Sequence, residues 1–147
     1  MALELLNQNT VQIVRNKHIN WQEAIKLASG PLVKEGRIGQ DYVENMINAV
    51  ETVGPYFNIG PGIALAHSRP IPSVKKISLT LLKTDYPVNL LDESHPVKLW
   101  FVLAATDNKS HLKVIQELAA LLMDKNKNKE LMNAESVNEL LDVLQGE

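Results

Sequence analysis

The chain has 147 residues, 45% of them hydrophobic and 22% charged, with a net charge of −2 and no cysteine. This composition is ordinary for a globular protein, the length suits one domain spanning 1–147, and no apolar run is long enough to span a membrane. Without cysteine, disulfides, thiolate catalysis and Cys-based metal sites are excluded, and the dispersed Lys and Arg residues give no basic stripe for nucleic acid.

The first third of the chain predicts one strand and two helices. The β-branched run 11–14 predicts a strand. Asn20 and Glu23 form a capping-box pattern that begins a helix, which ends by Gly36. Apolar residues recur on one face of this helix: Trp21, Ala24, Ile25, Ala28 and Leu32. A second amphipathic helix begins at Gln40 and ends at Gly54 and Pro55.

The middle of the chain predicts strands. Short apolar pieces at 56–59 and 63–65 flank a turn at Gly60-Pro61-Gly62, which lacks the Gly-Lys-Ser/Thr sequence of a phosphate-binding P-loop. A mostly alternating strand at 77–82 is closed by the polar stretch 83–87. The nearly continuous apolar run 97–105 predicts a strand buried on both faces, as in a sheet covered by helices on both sides.

The last third predicts two helices. Possible caps in the loop 106–110 precede a helix marked by apolar residues at Leu112, Ile115, Leu118, Ala119 and Leu122. Residues 125–129 alternate Lys and Asn and indicate a solvated face or a connection. Ser136 and Glu139 form a capping box ahead of a C-terminal helix. Because strands alternate with helices, we predict a layered α/β fold, with a mixed β-sheet flanked by helices on both faces.

Among the four histidines, His67 is the candidate nucleophile. His18 and His95 lie in polar turns, where a solvated or turn-stabilising role is expected. His67 is surrounded by small residues and held by flanking Gly and Pro residues, which leaves room for a reacting partner. A neutral imidazole is a competent nucleophile near pH 7, and phosphorus is a natural electrophile for it.

Two further residues fit a phosphoryl group, each with a simpler alternative. His111 begins a predicted helix, near amide donors and the positive end of the helix dipole, although capping or packing would equally explain it. Arg69 could donate to phosphate oxygens or pair with a surface carboxylate. The histidines lack the spacing of a helical metal pair, and no Asp or Glu lies beside His67 to complete a triad.

Three segments together resemble a known family. They are Gly54-Pro55-Tyr56, Pro61-Gly62-Ile63-Ala64-Leu65-Ala66-His67-Ser68-Arg69-Pro70, and 103–112 with its Asp107-Asn108 and His111-Leu112. The chain resembles enzyme IIA of the bacterial phosphoenolpyruvate-dependent sugar phosphotransferase system, mannitol/fructose superfamily, closest to the ascorbate-type branch. The resemblance spans nearly the whole chain.

The resemblance implies a phosphocarrier without metal or organic cofactor. His67 would accept a phosphoryl group from the phosphohistidine of the carrier HPr and pass it to a cysteine of enzyme IIB, which serves the membrane enzyme IIC. His111 would be the second active-site histidine, and Arg69 and Ser68 are candidates for contact with phosphate or partner. The N-terminus has no basic segment of a secretory signal, so the cytoplasm is expected. A homodimer stays open.

The chain also departs from the family pattern. The ascorbate-type motif reads Pro-His-Ala-Arg-Pro-Glu, whereas Ala66, Ser68 and Ile71 stand at three of its positions here. Mannitol-type members carry an arginine near the end of the second helix, where this chain has Ala49 and Val50, and Arg69 is the hypothetical substitute. Because of these differences, the sequence does not identify the sugar that the system transports.

Two other functions remain alternatives. A regulatory binding module of the same fold would dock to a transcription regulator or transporter. A metal-independent phosphohydrolase would release phosphate from small esters, although no carboxylate beside His67 is available to activate water.

Overall fold

The computed structural model describes residues 2–54 and 58–145. Within them a short 3₁₀ helix, Ala2–Leu5, precedes five strands and five α-helices. The strands are β1 (Val11–Val14), β2 (Asn58–Gly60), β3 (Gly62–Ala66), β4 (Ser78–Asn89) and β5 (Pro96–Ala104). The helices are α1 (Trp21–Lys34), α2 (Gln40–Val53), α3 (Asn108–Leu122), α4 (Lys125–Asn133) and α5 (Val137–Leu144). None of these helices is both long and apolar enough to cross a bilayer.

The five strands form one mixed sheet in the order β1-β4-β5-β3-β2. The pairs β1–β4 and β3–β5 are parallel, whereas β4–β5 and β2–β3 are antiparallel. The predicted mixed sheet is therefore confirmed. Because β3 and β5 are parallel neighbours, their carboxyl ends lie at the same edge of the sheet, where loops from both strands can meet.

Helices cover the sheet on both faces, as predicted. Successive side chains of β5 point to opposite faces because strand side chains alternate. Trp100 and Val102 pack in a core with α1 and α2, whereas Leu99 and Phe101 pack with α3, α4 and α5. Every residue of 97–105 except the half-buried Lys98 is buried, and β5 ends at Ala104, which confirms the prediction of a strand covered on both sides.

The first two helices follow their sequence signals. The side chain of Asn20 accepts from the Glu23 N–H at 2.8 Å, and the Glu23 carboxylate accepts from the Asn20 N–H at 3.3 Å, so the capping box is confirmed. α2 ends where Gly54 takes a φ of 112°, a conformation that favours glycine. Residues 55–57, which include the start of the predicted strand 56–59, lie outside the described residues.

The predicted strand 77–82 is too short, because β4 runs to Asn89 through the polar stretch expected to close it. Lys83 is only 5% exposed, and its Nζ donates to the carbonyl oxygens of Met132, at 2.7 Å, and Ala134. A lysine can therefore lie in a buried strand, because it satisfies carbonyls at the C-terminus of α4. A register shift between Lys83 and Val88 accommodates Pro87, which has no N–H for the ladder.

Two details of the last third depend on the tertiary structure. Of the two alternatives for 125–129, the solvated face is confirmed: these residues are exposed or half-buried at the start of α4, where Asp124 accepts from the N–H groups of Asn126 and Lys127 and caps the helix. Leu131 is the buried residue of this helix, so its apolar periodicity is too weak to show in the sequence. Leu112 is 57% exposed and lies off the buried face of α3, which is formed by Val114, Leu118 and Leu122.

Ser136 caps α5 as predicted, with its Oγ accepting from the Glu139 N–H at 3.1 Å. The second hydrogen bond of a capping box would run from the N–H of Ser136 to the Glu139 carboxylate. Here the Glu139 carboxylate accepts instead from the N–H of Glu135, one residue before the cap.

Candidate functional site

His67 and His111 meet at the shared carboxyl edge of β3 and β5. His67 directly follows β3, and His111 lies in the first turn of α3, which follows β5. The centroids of the two imidazole rings are 5.0 Å apart, with 61° between the ring planes. The parallel pairing of β3 with β5 therefore brings together two residues that are far apart in the sequence.

A backbone contact fixes the tautomer of His67. Its Nδ1 lies 2.8 Å from the carbonyl oxygen of Leu65. A carbonyl oxygen can only accept, so Nδ1 carries the proton, and the lone pair of the neutral ring resides on Nε2. Nε2 is therefore the ring nitrogen of His67 that carries the lone pair.

Burial keeps both imidazoles neutral. It lowers the pKa of His67 below 6.5, opposed in part by the hydrogen bond to Leu65. Burial also lowers the pKa of His111, and the neighbouring His67 lowers it further. A neutral imidazole carries a lone pair on its unprotonated nitrogen, which is the form that nucleophilic chemistry requires.

The two rings line a cleft of about 490 Å³ formed by α2, the loop after β3 and the start of α3. Its lining residues are Asn45, Ala49, His67, Ser68, Arg69, Pro70, Ile71, Asn108 and His111. Arg69 is exposed, and no acidic residue is among those described around the cleft. One arginine, two imidazoles and polar side chains make this a cleft for an anion.

The first turn of α3 presents His111. Asp107 caps the helix by accepting from the Ser110 N–H at 2.7 Å, and its backbone carbonyl accepts from the His111 N–H at 3.2 Å. Within the described part of the chain, the buried Nδ1 of His111 has no hydrogen-bond partner, so Nε2 is the nitrogen left to serve a group in the cleft. The positive end of the α3 dipole favours an anion there.

Tyr42, Asn45, Ala49 and Asn108 belong to this region but were not predicted as site residues. The Tyr42 hydroxyl accepts from the Ser68 N–H at 3.0 Å and lies 2.7 Å from the Leu103 carbonyl oxygen. One signal for Tyr42 was present in the sequence, because a tyrosine on the buried face of a helix usually needs a partner for its hydroxyl. Nothing in its sequence context distinguishes Asn45 from a surface asparagine, whereas Asn108 belongs to the Asp107-Asn108 pair of the segment that carries the family resemblance.

The other two histidines lie elsewhere. His18 is exposed and stacks on Tyr86, with 4.0 Å between ring centroids. Nδ1 of His95 lies 2.9 Å from a carboxylate oxygen of Asp92 in the loop between β4 and β5. Among the described residues, no three His, Cys, Asp or Glu side chains are grouped closely enough to hold a metal ion.

Residues 4–147 match the model of a family described as phosphoenolpyruvate-dependent sugar phosphotransferase system, EIIA 2. The chain belongs to this family. Its relatives are enzyme IIA components, which are phosphotransferases, so the chain is a phosphotransferase of the sugar transport cascade. The resemblance inferred from the His67 and His111 segments is thereby confirmed.

Relatives named for two different compounds, mannitol and ascorbate, are about equally similar to this enzyme IIA. It is 30% identical over 125 residues to the mannitol-specific cryptic phosphotransferase enzyme IIA component of Escherichia coli, covering 85% of each chain. It is 32% identical over 126 residues to the ascorbate-specific EIIA component of Escherichia coli, covering 84% of this chain and 82% of the relative. These identities do not separate the two types.

Solved structures share the fold over nearly the full length. The solution structure of the mannitol-specific cryptic enzyme IIA from Escherichia coli has a TM-score of 0.87 and 28% identity, covering 98% of each chain. The mannitol enzyme IIA of Escherichia coli, solved in complex with phosphorylated enzyme IIB, has a TM-score of 0.77 and 26% identity, covering 96% of this chain and 97% of that chain.

Proposed function

We propose that residues 1–147 form an enzyme IIA domain that carries a phosphoryl group on Nε2 of His67. The donor is the phosphohistidine of HPr, and the acceptor is a cysteine of enzyme IIB, which serves the membrane enzyme IIC. The observation that carries the proposal is the His67–His111 pair in a cleft with one arginine and no acidic lining residue among those described. The exchange belongs in the cytoplasm.

Acceptance of the phosphoryl group is an in-line displacement at phosphorus. The Nε2 lone pair of His67 forms the new P–N bond while the P–N bond of the donor breaks, and its electron pair returns to the donor imidazole. The proton on Nδ1 stays in place, and the Leu65 carbonyl stabilises the positive charge that develops on the ring. Metaphosphate-like transfer needs positioning and charge stabilisation more than acid or base chemistry.

The neighbouring groups stabilise the transferred phosphoryl oxygens. His111 donates from Nε2 when protonated or in its Nε2–H tautomer, and the start of α3 adds its positive dipole. Arg69 and Ser68 line the same cleft and are proposed as further donors to these oxygens or to the partner. In the second transfer the thiolate of enzyme IIB attacks phosphorus, and the electron pair of the broken P–N bond returns to Nε2.

A labelling experiment tests the assignment. The protein is incubated with phosphoenolpyruvate, enzyme I and HPr, and its mass is measured before and after acid treatment. We expect one acid-labile phosphoryl group, lost in His67→Ala and retained in the control His95→Ala, whose imidazole lies outside the cleft. Full labelling of His67→Ala would refute the assignment. For His111→Ala we expect labelling to continue at a reduced rate, about 10²-fold lower, because one donor to the developing charge is removed.

Onward transfer identifies the branch. We propose the ascorbate type, on the His67-Ser68-Arg69-Pro70 segment, which keeps the His-x-Arg-Pro spacing of the ascorbate-type motif. The labelled protein is offered to isolated enzyme IIB of the ascorbate and of the mannitol type. Faster transfer to the ascorbate-type enzyme IIB supports the proposal, and faster transfer to the mannitol type refutes it. Labelling without transfer to any enzyme IIB would favour the regulatory module instead.

A further inference from the structure

One buried hydroxyl joins the two chain segments that carry the histidines. Tyr42 lies in the first turn of α2 and is 0% exposed. Its hydroxyl accepts from the Ser68 N–H at 3.0 Å and donates to the Leu103 carbonyl at 2.7 Å, and the Ser68 carbonyl oxygen is 3.2 Å away. Ser68 directly follows His67, and Leu103 lies at the end of the strand that leads to α3.

The Tyr42 hydroxyl lies just beyond the end of the hydrogen-bonded ladder between β3 and β5. The last paired residues of these parallel strands are Ala66 and Val102. Beyond this pair, the N–H of Ser68, two residues after Ala66, and the carbonyl of Leu103, one residue after Val102, are bridged through the Tyr42 oxygen instead of bonding directly. The strands can therefore separate at His67 without leaving these two backbone groups unsatisfied in a buried place, which would be costly.

The backbone of His67 is thus fixed on both sides. Ala66 before it is held by the strand ladder, and Ser68 after it is held by Tyr42. The same hydroxyl holds Leu103, from which the chain passes through the loop after β5 to His111. The separation of the two imidazoles therefore depends on a contact made by a residue of a third element, α2.

We propose that Tyr42 is a positioning residue for phosphoryl transfer: its hydroxyl sets the opening between the ends of β3 and β5 and thereby the relative placement of His67 and His111. The effect of Tyr42 on the rate of phosphoryl transfer rests on the proposed function. It assigns Tyr42 no contact with the phosphoryl group, since Tyr42 is not among the residues that line the cleft.

The test compares Tyr42→Phe with a matched core variant. Tyr42→Phe keeps the buried ring and removes only the hydroxyl. Trp100→Phe is the control: Trp100 is also fully buried in the core under α1 and α2, and its indole N–H has no partner among the described residues. Both variants are expected to lower the midpoint of thermal unfolding. Circular dichroism at a temperature well below both midpoints establishes that they are folded.

Two measurements then separate positioning from stability. In Tyr42→Phe we expect the rate constant for labelling by phospho-HPr to fall about tenfold or more at an unchanged KM for phospho-HPr, because small misplacements of reacting groups are costly. We also expect shifted imidazole NMR signals of His67 and His111 in the unphosphorylated protein. Trp100→Phe should leave the rate constant within about twofold of the original and the imidazole signals in place.

Unchanged imidazole signals in Tyr42→Phe would overturn the proposal, as would a rate constant equal to that of the unmodified protein or an equal loss in Trp100→Phe. Failure of the unmodified protein to be labelled at all would instead refute the proposed function. The NMR comparison needs no phosphodonor, so it decides the positioning role in that case as well.

Discussion

The carbonyl oxygen of Leu65 accepts a hydrogen bond of 2.8 Å from Nδ1 of His67, two residues further along the chain. The contact is made at the point where β3 ends, so the strand itself supplies the group that orients the imidazole. Because Nδ1 is occupied as a donor, the nitrogen that faces a reacting group is decided by the backbone.

The first prediction concerns the phosphorylated atom. We expect the phosphoryl group on Nε2 of His67, because Nδ1 has no free lone pair while it donates to Leu65. Long-range proton–nitrogen NMR of the ¹⁵N-labelled phosphoprotein identifies the ring nitrogen that couples to phosphorus. Coupling to Nδ1 would contradict the tautomer derived from the Leu65 contact.

The second prediction concerns pH. Burial lowers the pKa of His67, and burial together with the nearby His67 lowers the pKa of His111, so both rings are neutral at neutral pH. Arg69 is the charged group of the cleft lining, and no carboxylate is among the described lining residues to raise either pKa. The labelling rate should therefore be flat near neutrality and fall only below about pH 6.5, the ordinary value for histidine.

The same shifts affect stability. Below about pH 6.5 the unfolded chain binds protons at these two positions before the folded protein does, so the free energy of unfolding decreases as the pH falls through this range. NMR titration of the imidazole protons between about pH 5 and pH 8 measures the midpoints of protonation of the two rings, which titrate as a coupled pair, and it needs no phosphodonor. Midpoints at or above the ordinary value would contradict the prediction, and His95→Gln, in the exposed loop, should leave both midpoints unchanged.

The third prediction concerns Arg69 and Ala49, which line the same cleft from different elements. Arg69→Gln should slow phosphoryl transfer about tenfold, since it removes a charged donor to the phosphoryl oxygens. Adding Ala49→Arg in that background should restore part of the rate, because an arginine on α2 can reach the same cleft. The control Ala49→Leu adds bulk without charge and should restore nothing. An unchanged rate in Arg69→Gln would show that this arginine does not contact the group.

The fourth prediction separates the placement of His111 from the stability of helix caps. Asp107 caps α3 and Ser136 caps α5, each by accepting from the N–H three residues on, at 2.7 and 3.1 Å. Replacing either by Ala should reduce the free energy of unfolding by about 1 kcal/mol, measured in urea. Only Asp107→Ala should also slow labelling, about fivefold, because it loosens the turn that carries His111. Equal labelling rates in the two variants would contradict this.

Local patterns predicted much of the fold. The capping box of Asn20 and Glu23, the glycine stop at Gly54 and the apolar run of β5 each depend on neighbours within a few residues, and each is confirmed. Prediction failed where a distant contact overrides the local pattern. The charge of Lys83 predicts the end of a strand. The residue instead continues β4, because its Nζ donates to the carbonyl oxygens of Met132 and Ala134.

The His67 and His111 segments were sufficient to identify the family and the chemical type of each candidate residue. Three facts are visible only in the folded chain: the two imidazoles are 5.0 Å apart, the Leu65 carbonyl holds the proton of His67 on Nδ1, and Tyr42 bridges Ser68 and Leu103. Periodicity tells which face of a segment is apolar, but the distance between remote residues depends on strand order and register. Those are set by the packing of the whole sheet, in which β3 lies beside β5 and carries His67 to the start of α3.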